Sequence, residues 1–194
     1  ATATQQMAGS SNGHGGLDIF DPRAPELYSP TGKVVPRGLG VGDIAVSGGG
    51  YASGYKSEID FRQISTTGNE ANFGELIAGR QIQGSCSSTT RGVFINGSYP
   101  SSYSAFDYVA IAQKGNAADF GDISVYRRGD TGFSNSTRGI IGGGYDGSNR
   151  INNIDYITIA TTGNGTDFGD MTESRTSYGA MSNGTRGVMG GGRT

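Results

Sequence analysis

Apolar and polar residues alternate in short runs along most of this chain, and no run of useful length has the three- or four-residue spacing of a helix. From position 41 onward the runs are rich in Ile, Val, Tyr, Thr and Phe and are bounded by Gly, Asn and Ser. Within residues 154–161, alternation places apolar side chains on both faces of the predicted strand. The pattern predicts an all-β protein in which sheets are covered on both faces by other sheets.

One unit of sequence occurs three times. Its markers are an Asp and, further along, a Phe-Gly pair, and both recur after 47 and then 48 residues. The Asp positions are Asp60, Asp107 and Asp155, and the Phe positions are Phe73, Phe120 and Phe168. Residues 186–192 repeat an early part of the unit once more, which gives about three and a half units. A unit of this length cannot bury its own faces, so we expect each one to stack on its neighbours.

Four strands fit into each unit. The first is predicted after an Arg, the second on an Arg-Gly run that leads to a Gly-Gly pair, the third on the Asp segment and the fourth around Phe-Gly. The Arg before the first strand recurs as Arg80, Arg127 and Arg175, and the Arg of the Arg-Gly run recurs as Arg91, Arg138 and Arg186. Four short strands in 47 or 48 residues are typical of one blade of a β-propeller.

These features resemble the kelch family of β-propellers. In that family a Gly-Gly pair ends the second strand, an aromatic residue lies in the third, and an Arg follows the fourth. The resemblance covers about residues 37–194 and implies a β-propeller-like array of four-stranded blades. The family has Trp where this chain has Phe73, Phe120 and Phe168, and this sequence contains no Trp.

The amino-acid sequence of the repeat also resembles repeats in structural proteins of tailed phages, particularly phages of cyanobacteria. The segment that carries this likeness is residues 156–170, YITIATTGNGTDFGD. The resemblance implies a virion component, such as a tail or head fibre or another appendage. Other virion proteins or identical subunits are then the expected partners.

Residues 1–36 differ in kind from the repeats. They contain four of the five prolines of the chain and a flexible Gly-Ser stretch. A short apolar group lies among them: Leu17, Ile19 and Phe20. We predict an extended segment, ordered by contact with something else, that anchors the protein to a partner through these three side chains.

Composition and charge exclude several kinds of function. The 194 residues suffice for one folded body, and a net charge of −2 with mixed signs argues against nucleic acid or an anionic membrane surface as a partner. No stretch approaches the roughly 18 apolar residues of a membrane helix, so we expect no membrane insertion. Cys86 is the single cysteine and His14 the single histidine. Intrachain disulfides, histidine triads and imidazole metal sites are therefore excluded, and no metal or cofactor is expected.

The repeated charged residues are expected to be structural. A residue that recurs at one position of each unit serves the unit, for example by pairing Arg with a carboxylate or by bonding turn amides. A hydrolase of polysaccharides would instead need a non-repeating acid, and nothing in the sequence singles one out. We therefore expect the protein not to be an enzyme.

The loops after the second strand differ most between the units. Binding specificity usually resides in variable loops on a fixed scaffold. The candidate binding residues in these loops are Tyr51, Tyr55, Tyr99, Tyr103, Tyr145 and Arg150. Tyrosine combines a stackable face with a hydroxyl, which suits a sugar or a protein partner. Solvated turns with a few packing tyrosines are the alternative interpretation.

Three and a half units do not close a propeller. We therefore expect either further sequence after residue 194 or completion by other chains in an oligomer. The leading hypothesis is a non-enzymatic virion protein that presents its loops for attachment to a host surface or glycan. The alternative is a lectin-like propeller protein at a cell surface, extracellular or forming filaments, in which each subunit closes the sheets of the next.

Overall fold

The computed structural model describes residues 43–81, 83–99, 101–102 and 104–194, together with the strands β1 (Glu26–Tyr28) and β2 (Val34–Pro36). The chain divides into two compact units, residues 1–43 and residues 44–194. In the first unit β1 and β2 pair in antiparallel fashion. The regular elements of the described ranges are strands and none is a helix, which confirms the all-β class.

The second unit contains four antiparallel sheets that follow one another along the sequence. The first sheet is β3 (Ile44–Gly48), β4 (Glu58–Gln63) and β5 (Ala71–Glu75). The second is β6 (Gly84–Ser87), β7 (Arg91–Ile95), β10 (Ala105–Ala110) and β11 (Ala118–Asp122), with a small hairpin of β8 (Ser98–Tyr99) and β9 (Ser101–Ser102) between β7 and β10. The third is β12 (Thr131–Ser134), β13 (Arg138–Gly142), β14 (Asn153–Thr158) and β15 (Thr166–Asp170). The fourth is β16 (Gly179–Ser182) and β17 (Gly187–Gly190).

The second and third sheets each have the four strands predicted for one unit, joined in sequence order. The first sheet has three described strands and the fourth has two. A closed ring of blades is not among these features, so the propeller architecture and its blade number stay predictions.

Consecutive sheets bury their apolar side chains against each other. One core lies between the first and second sheets and consists of Ile59, Phe73, Leu76, Phe94 and Val109. The other lies between the second and third sheets and consists of Cys86, Val93, Ile95, Phe106, Phe120, Ile123, Ile141, Ile157 and Ile159. The second sheet contributes to both cores, because neighbours along a strand such as Val93 and Phe94 face opposite sides. It is therefore covered on both faces, as alternation predicts.

The Phe-Gly pair forms a β-bulge in each of the first three sheets. In the second sheet Phe106 lies opposite Gly121 and Asp107 lies opposite Asp119, which leaves Phe120 as the extra residue of its strand. The same slip recurs after Ile59 and after Ile154. Gly121 has a φ of 140°, a conformation that residues with a side chain rarely adopt. Positive φ accounts for the glycine in the second and third sheets, whereas at Gly74 of the first sheet a Cβ would collide with the Gly115 carbonyl of the next sheet.

A Gly-Asn turn of the second sheet caps β5 of the first sheet, and a Gly-Asn turn of the third sheet caps β11 of the second. The Gly163 amide donates to the Phe120 carbonyl at 2.7 Å, and the Gly165 amide donates to the Asp122 carbonyl at 2.8 Å. The Asn164 side-chain oxygen accepts from the Asp122 amide at 3.0 Å. The turn at residues 115–117 makes the same three bonds to β5, at 3.0, 2.8 and 3.2 Å. The first and second sheets therefore each depend on the next sheet to satisfy backbone groups at their outer edge.

Candidate functional site

Two buried ion pairs use the recurring Arg and Asp residues. Arg80 Nη2 lies 2.7 Å from Asp107 Oδ2, and Arg127 makes the equivalent pair with Asp155. The side chains of all four residues are at most 1% exposed. Each pair joins the segment that enters a sheet to the third strand of that sheet. A substrate has no access to such groups, and their position indicates a structural role.

Burial shifts the pKa of one residue in each pair. It raises the pKa of Asp107 above its ordinary value, although Arg80 and the Ile77 amide oppose the shift. It also lowers the pKa of Arg127. The Ile77 amide donates to Asp107 Oδ2 at 3.0 Å, and Ser124 Oγ donates to Asp155 Oδ1 at 2.7 Å. These equivalent hydrogen bonds tie the carboxylates to the preceding linker and compensate part of their desolvation.

The outermost copies of the same positions lack this pairing. Asp60 is half-buried, and no ion pair involves it among the residues that the structure describes. Arg175 is 21% exposed in its side chain and pairs with the neighbouring Glu173 at 2.9 Å. Its repeat-related Asp would belong to the third strand of a fourth unit, which the 194 residues do not contain.

The second set of recurring arginines packs on aromatic rings. The guanidinium of Arg91 lies 4.6 Å from the ring centre of Tyr108, and that of Arg138 lies 4.6 Å from the ring centre of Tyr156. Arg91 also donates to the Ile159 carbonyl of the next sheet at 3.1 Å. We predicted that these arginines would pair with carboxylates or bond turn amides. In the structure Arg91 and Arg138 instead make cation–π contacts. Arg186 lies instead in the wall of a groove beside Phe168.

Sequence reasoning missed one buried polar contact between the second and third sheets. Asn96 Nδ2 donates to Asp130 Oδ2 at 3.1 Å, and both side chains are buried. Burial raises the pKa of Asp130 to about 7, against the opposing effects of Arg127 and Asn96. The equivalent position is Gln83 in the second unit and Tyr178 in the fourth, so a search for recurring residues passes over it. The sequence feature that could have revealed this contact is the lack of recurrence, because Asp130 is an acid at a position where the other units have none.

The tyrosine loops lie at the ends of the sheets where the second strand leads to the third. Tyr51 is 61% exposed, and its ring contacts that of Tyr55 edge-on at 5.4 Å between centres. Tyr145 and Arg150 face each other across an isolated bridge, and the guanidinium of Arg128 lies 5.3 Å from the Tyr145 ring. The structure therefore forms two local pairs, Tyr51 with Tyr55 and Tyr145 with Arg150.

The remaining predicted contact residues lie wholly or partly outside the described residues. Tyr99 lies in β8, and its side chain is outside the described part of the structure, as is the whole of Tyr103. The predicted anchor residues Leu17, Ile19 and Phe20 also fall outside the described residues.

An open polar groove is lined by residues that precede and follow the Tyr51–Tyr55 loop in sequence, although neither tyrosine lines it. Its volume is ≈ 400 Å³, and its walls are Ser47, Gly48, Gly49, Lys56, Glu58, Asp60 and Glu70. Lys56 Nζ and Glu58 Oε1 are 3.5 Å apart at its rim. The exposed ring of Tyr51 can stack on a sugar, and the hydroxyl, carboxylate and ammonium groups of the groove can hydrogen-bond sugar hydroxyls.

No three side chains of His, Cys, Asp or Glu in the described ranges are grouped so that they could hold a metal ion. Nor do the same ranges contain a helix of the length and apolar character needed to cross a membrane.

Comparisons with known proteins assign no relative. No protein-family model matches the sequence, and no curated protein is significantly similar to it.

Proposed function

We propose that this protein is a non-enzymatic structural component of a tailed-phage virion, a tail or head fibre or appendage. In this proposal its sheets form a kelch-like propeller whose loops bind a glycan or another component of a host surface. Residues 1–36 attach it to other virion proteins. The resemblance of the repeat to phage structural proteins supports the virion assignment.

One observation supports the binding role above the others. The recurring charged residues that could suggest catalysis are enclosed between sheets, as in Arg80–Asp107, whereas Tyr51 is 61% exposed in a loop that differs between units. A repeated, closed framework that carries variable, open loops is the usual organisation of a binding scaffold.

The Tyr51–Tyr55 pair is the proposed contact surface for the glycan. Tyr51 offers an exposed ring face to the CH groups of a sugar, and its edge-on contact with Tyr55 fixes the ring at low entropic cost. Lys56 and Glu58 can donate to and accept from sugar hydroxyls at the rim of the groove.

A glycan array followed by titration tests the binding role. The wild-type chain is expected to bind a defined set of surface glycans, and Tyr51→Ala is expected to weaken that binding about tenfold through loss of one stacking contact. Ile64→Ala is the matched control, because Ile64 is 64% exposed in the turn after β4, at the opposite end of that strand from the Tyr51–Tyr55 loop. Equal binding by Tyr51→Ala and wild type, or no glycan bound by the wild type, contradicts the proposal.

Removal of residues 2–36 tests the attachment role separately. The shortened chain is expected to retain glycan binding and to be lost from assembled particles. Unchanged incorporation into particles contradicts the anchor assignment and leaves the loop assignment standing.

A further inference from the structure

Three Asn-Gly dipeptides lie in the described part of the chain, at Asn96, Asn164 and Asn183. In such a dipeptide the glycine nitrogen can attack Cγ of the preceding asparagine and close a five-membered ring, because glycine has no side chain to obstruct the approach. The attack releases the side-chain amide as ammonia. In a folded chain its rate depends on what holds the glycine nitrogen and the asparagine side chain, and the three sites differ in these contacts.

The Asn96 site is enclosed between the second and third sheets. Asn96 is 0% exposed, and its Nδ2 donates to Asp130 Oδ2 at 3.1 Å. The nitrogen that would leave is therefore held by a hydrogen bond, and the burial keeps bulk water from the ring that would form. We expect Asn96 to be unreactive in the folded protein.

The Asn164 site is exposed, but its glycine nitrogen is occupied. The Gly165 amide donates to the Asp122 carbonyl at 2.8 Å, and Asn164 Oδ1 accepts from the Asp122 amide at 3.0 Å. Attack on Cγ requires both bonds to break, which separates the turn from β11. We therefore expect the reaction at Asn164 to be slow.

The Asn183 site lies in the turn between β16 and β17, and Asn183 and Gly184 are both exposed. The Gly184 amide donates no hydrogen bond to any residue that the structure describes. The exposure belongs to the turn itself, because the equivalent turn of the third sheet, at Asn135, is also exposed although the fourth sheet follows it. The nitrogen at this site is therefore free to attack.

Three donors converge on the oxygen where negative charge would develop. Asn183 Oδ1 accepts from the Thr185 amide at 3.1 Å, from Thr185 Oγ1 at 2.9 Å and from the Arg186 amide at 2.9 Å. As the Gly184 nitrogen adds to Cγ, the carbonyl oxygen becomes an oxyanion. Donors that already point at this oxygen stabilise that charge in the way that an oxyanion hole does.

We propose that Asn183 is a site of spontaneous deamidation and isoaspartate formation in the folded protein. The Gly184 nitrogen forms a bond to Asn183 Cγ, the bond from Cγ to Nδ2 breaks, and Nδ2 leaves as ammonia with the proton of the Gly184 amide. Water then adds to either carbonyl of the succinimide and opens the ring to aspartate or isoaspartate. The reaction consumes one water and needs no oxidant or reductant.

The isoaspartate product changes the turn. The main chain then runs through the former side chain and is longer by one methylene, so the oxygen that accepted from Thr185 and Arg186 becomes part of the backbone. The amides of these two residues lose their common acceptor. Their hydrogen exchange is expected to be at least about tenfold faster in the purified isoaspartate form than in the unmodified protein.

Peptide mapping of the 194-residue chain after incubation in mildly alkaline buffer tests the site. Mass spectrometry detects the change from amide to acid, and chromatography separates isoaspartate from aspartate. Conversion at Asn183 is expected to be at least about tenfold faster than at Asn164 or Asn96. In concentrated urea the three rates are expected to agree within about threefold, because the contacts that distinguish the sites are lost.

The turn at Asn135 is a matched control inside the same protein. Asn135 Oδ1 accepts the same three bonds, from the Thr137 amide at 2.8 Å, from Thr137 Oγ1 at 3.0 Å and from the Arg138 amide at 2.7 Å. The residue that follows is Ser136, whose side chain obstructs the nitrogen. Asn135 is expected to convert at least about tenfold more slowly than Asn183, and Ser136→Gly is expected to remove most of that difference.

Gly184→Ala is the converse variant and is expected to slow conversion at Asn183. Because Gly184 has a φ of 90°, this change also strains the turn, so Ser136→Gly is the more decisive of the two. Equal rates at Asn183 and Asn164 in the folded chain would overturn the proposal, as would an unchanged rate at Asn135 in Ser136→Gly. A preference for Asn183 that persists in urea would also overturn it, since the folded turn would then not be its cause.

Discussion

The two faces of the third sheet show how strongly the environment of a repeated residue depends on its neighbour. On the face toward the second sheet, Ile157 is 2% exposed, and Phe120 beside it is 2% exposed. On the face toward the fourth sheet, Phe168 is 54% exposed although it stands in the same Phe-Gly bulge as Phe120. The sequence motif therefore determines the local backbone, and the following unit determines whether the ring is buried.

The fourth sheet also has exposed apolar residues, on its face away from the third sheet. Cys86 and Val93 are 6% and 1% exposed between the second and third sheets, whereas the residues two units later, Met181 and Val188, are 70% and 58% exposed. Burial also raises the pKa of the Cys86 thiol to about 12. Stability of this array is therefore expected to be concentrated in the interfaces between sheets, as in other repeat proteins.

The largest expected contrast is between two phenylalanines. Phe120→Ala leaves a cavity in the core between the second and third sheets and is expected to lower the free energy of unfolding by about 3–5 kcal/mol. Phe168→Ala removes a half-exposed ring and is expected to cost under about 1 kcal/mol. Urea denaturation of both variants measures the difference. Similar losses from the two changes would show that Phe168 is buried in solution.

The ion pairs give the next contrast. Arg80→Gln leaves Asp107 buried without its charge partner and is expected to cost about 3 kcal/mol, whereas Arg175→Gln is expected to cost under about 1 kcal/mol. The double variant Arg80→Gln, Asp107→Asn is expected to recover part of the loss, because no lone charge remains inside. A double variant as unstable as Arg80→Gln would contradict this explanation.

The pH dependence of stability contrasts a buried acid with an exposed one. Since burial raises the pKa of Asp130 to about 7, the folded state holds a proton that the unfolded state releases near pH 4. Stability is therefore expected to fall as pH rises from about 4 to 7, by at most about 1.4 kcal/mol per pH unit from this group. Denaturation midpoints of Asp130→Asn are expected to lose this slope.

Asp146 supplies the matched exposed control. Amides of Asn149 and Ser148 lower its pKa, so its contribution has the opposite sign and is lost as pH falls through that lowered value. Asp146→Asn should leave the decline between about pH 4 and 7 intact. A wild-type stability that rises across this range would be inconsistent with a protonated Asp130.

The smallest expected contrast separates backbone strain from contact between sheets. Gly121→Ala and Gly169→Ala both place a side chain at a φ of 140° or 130°, so both incur a similar conformational cost. Only the Gly121 substitution must also displace the carbonyl of Gly163. We expect thermal melting to show that it is less stable than Gly169→Ala by about 1–2 kcal/mol. Equal losses of stability would mean that the turn at residues 163–165 moves aside at no measurable cost, which contradicts this explanation.

Much of the fold could be predicted because each strand carries its own signal. Short β-rich runs and turn residues predict the strands, and the recurrence of the Phe-Gly pair predicts equivalent sheets, as β6–β11 and β12–β15 bear out. Alternation also predicts two covered faces, which holds for the second sheet. Tyr156 of the third sheet is half-buried, as is the equivalent Tyr108 of the second sheet, and each ring packs against an arginine of its own sheet.

The partners of individual side chains were harder to predict. Whether Arg91 meets a carboxylate or a ring depends on the spatial position of Tyr108, and single-strand patterns do not give that position. The Asn96–Asp130 contact joins residues 34 positions apart at a place where the units differ. The loop tyrosines follow from sequence variability, but the exposure of Tyr51 and its contact with Tyr55 required the structure.

Hydrogen exchange of backbone amides tests most directly the claim that each unit is completed by its successor. The Asp122, Gly163 and Gly165 amides bond across the second and third sheets and are expected to exchange at least about 100-fold more slowly than their intrinsic rates. The equivalent amides of Asp170, Gly68 and Glu70 have no such bonds among the described residues and are expected to exchange near those rates. Equal protection of the two sets would contradict the account.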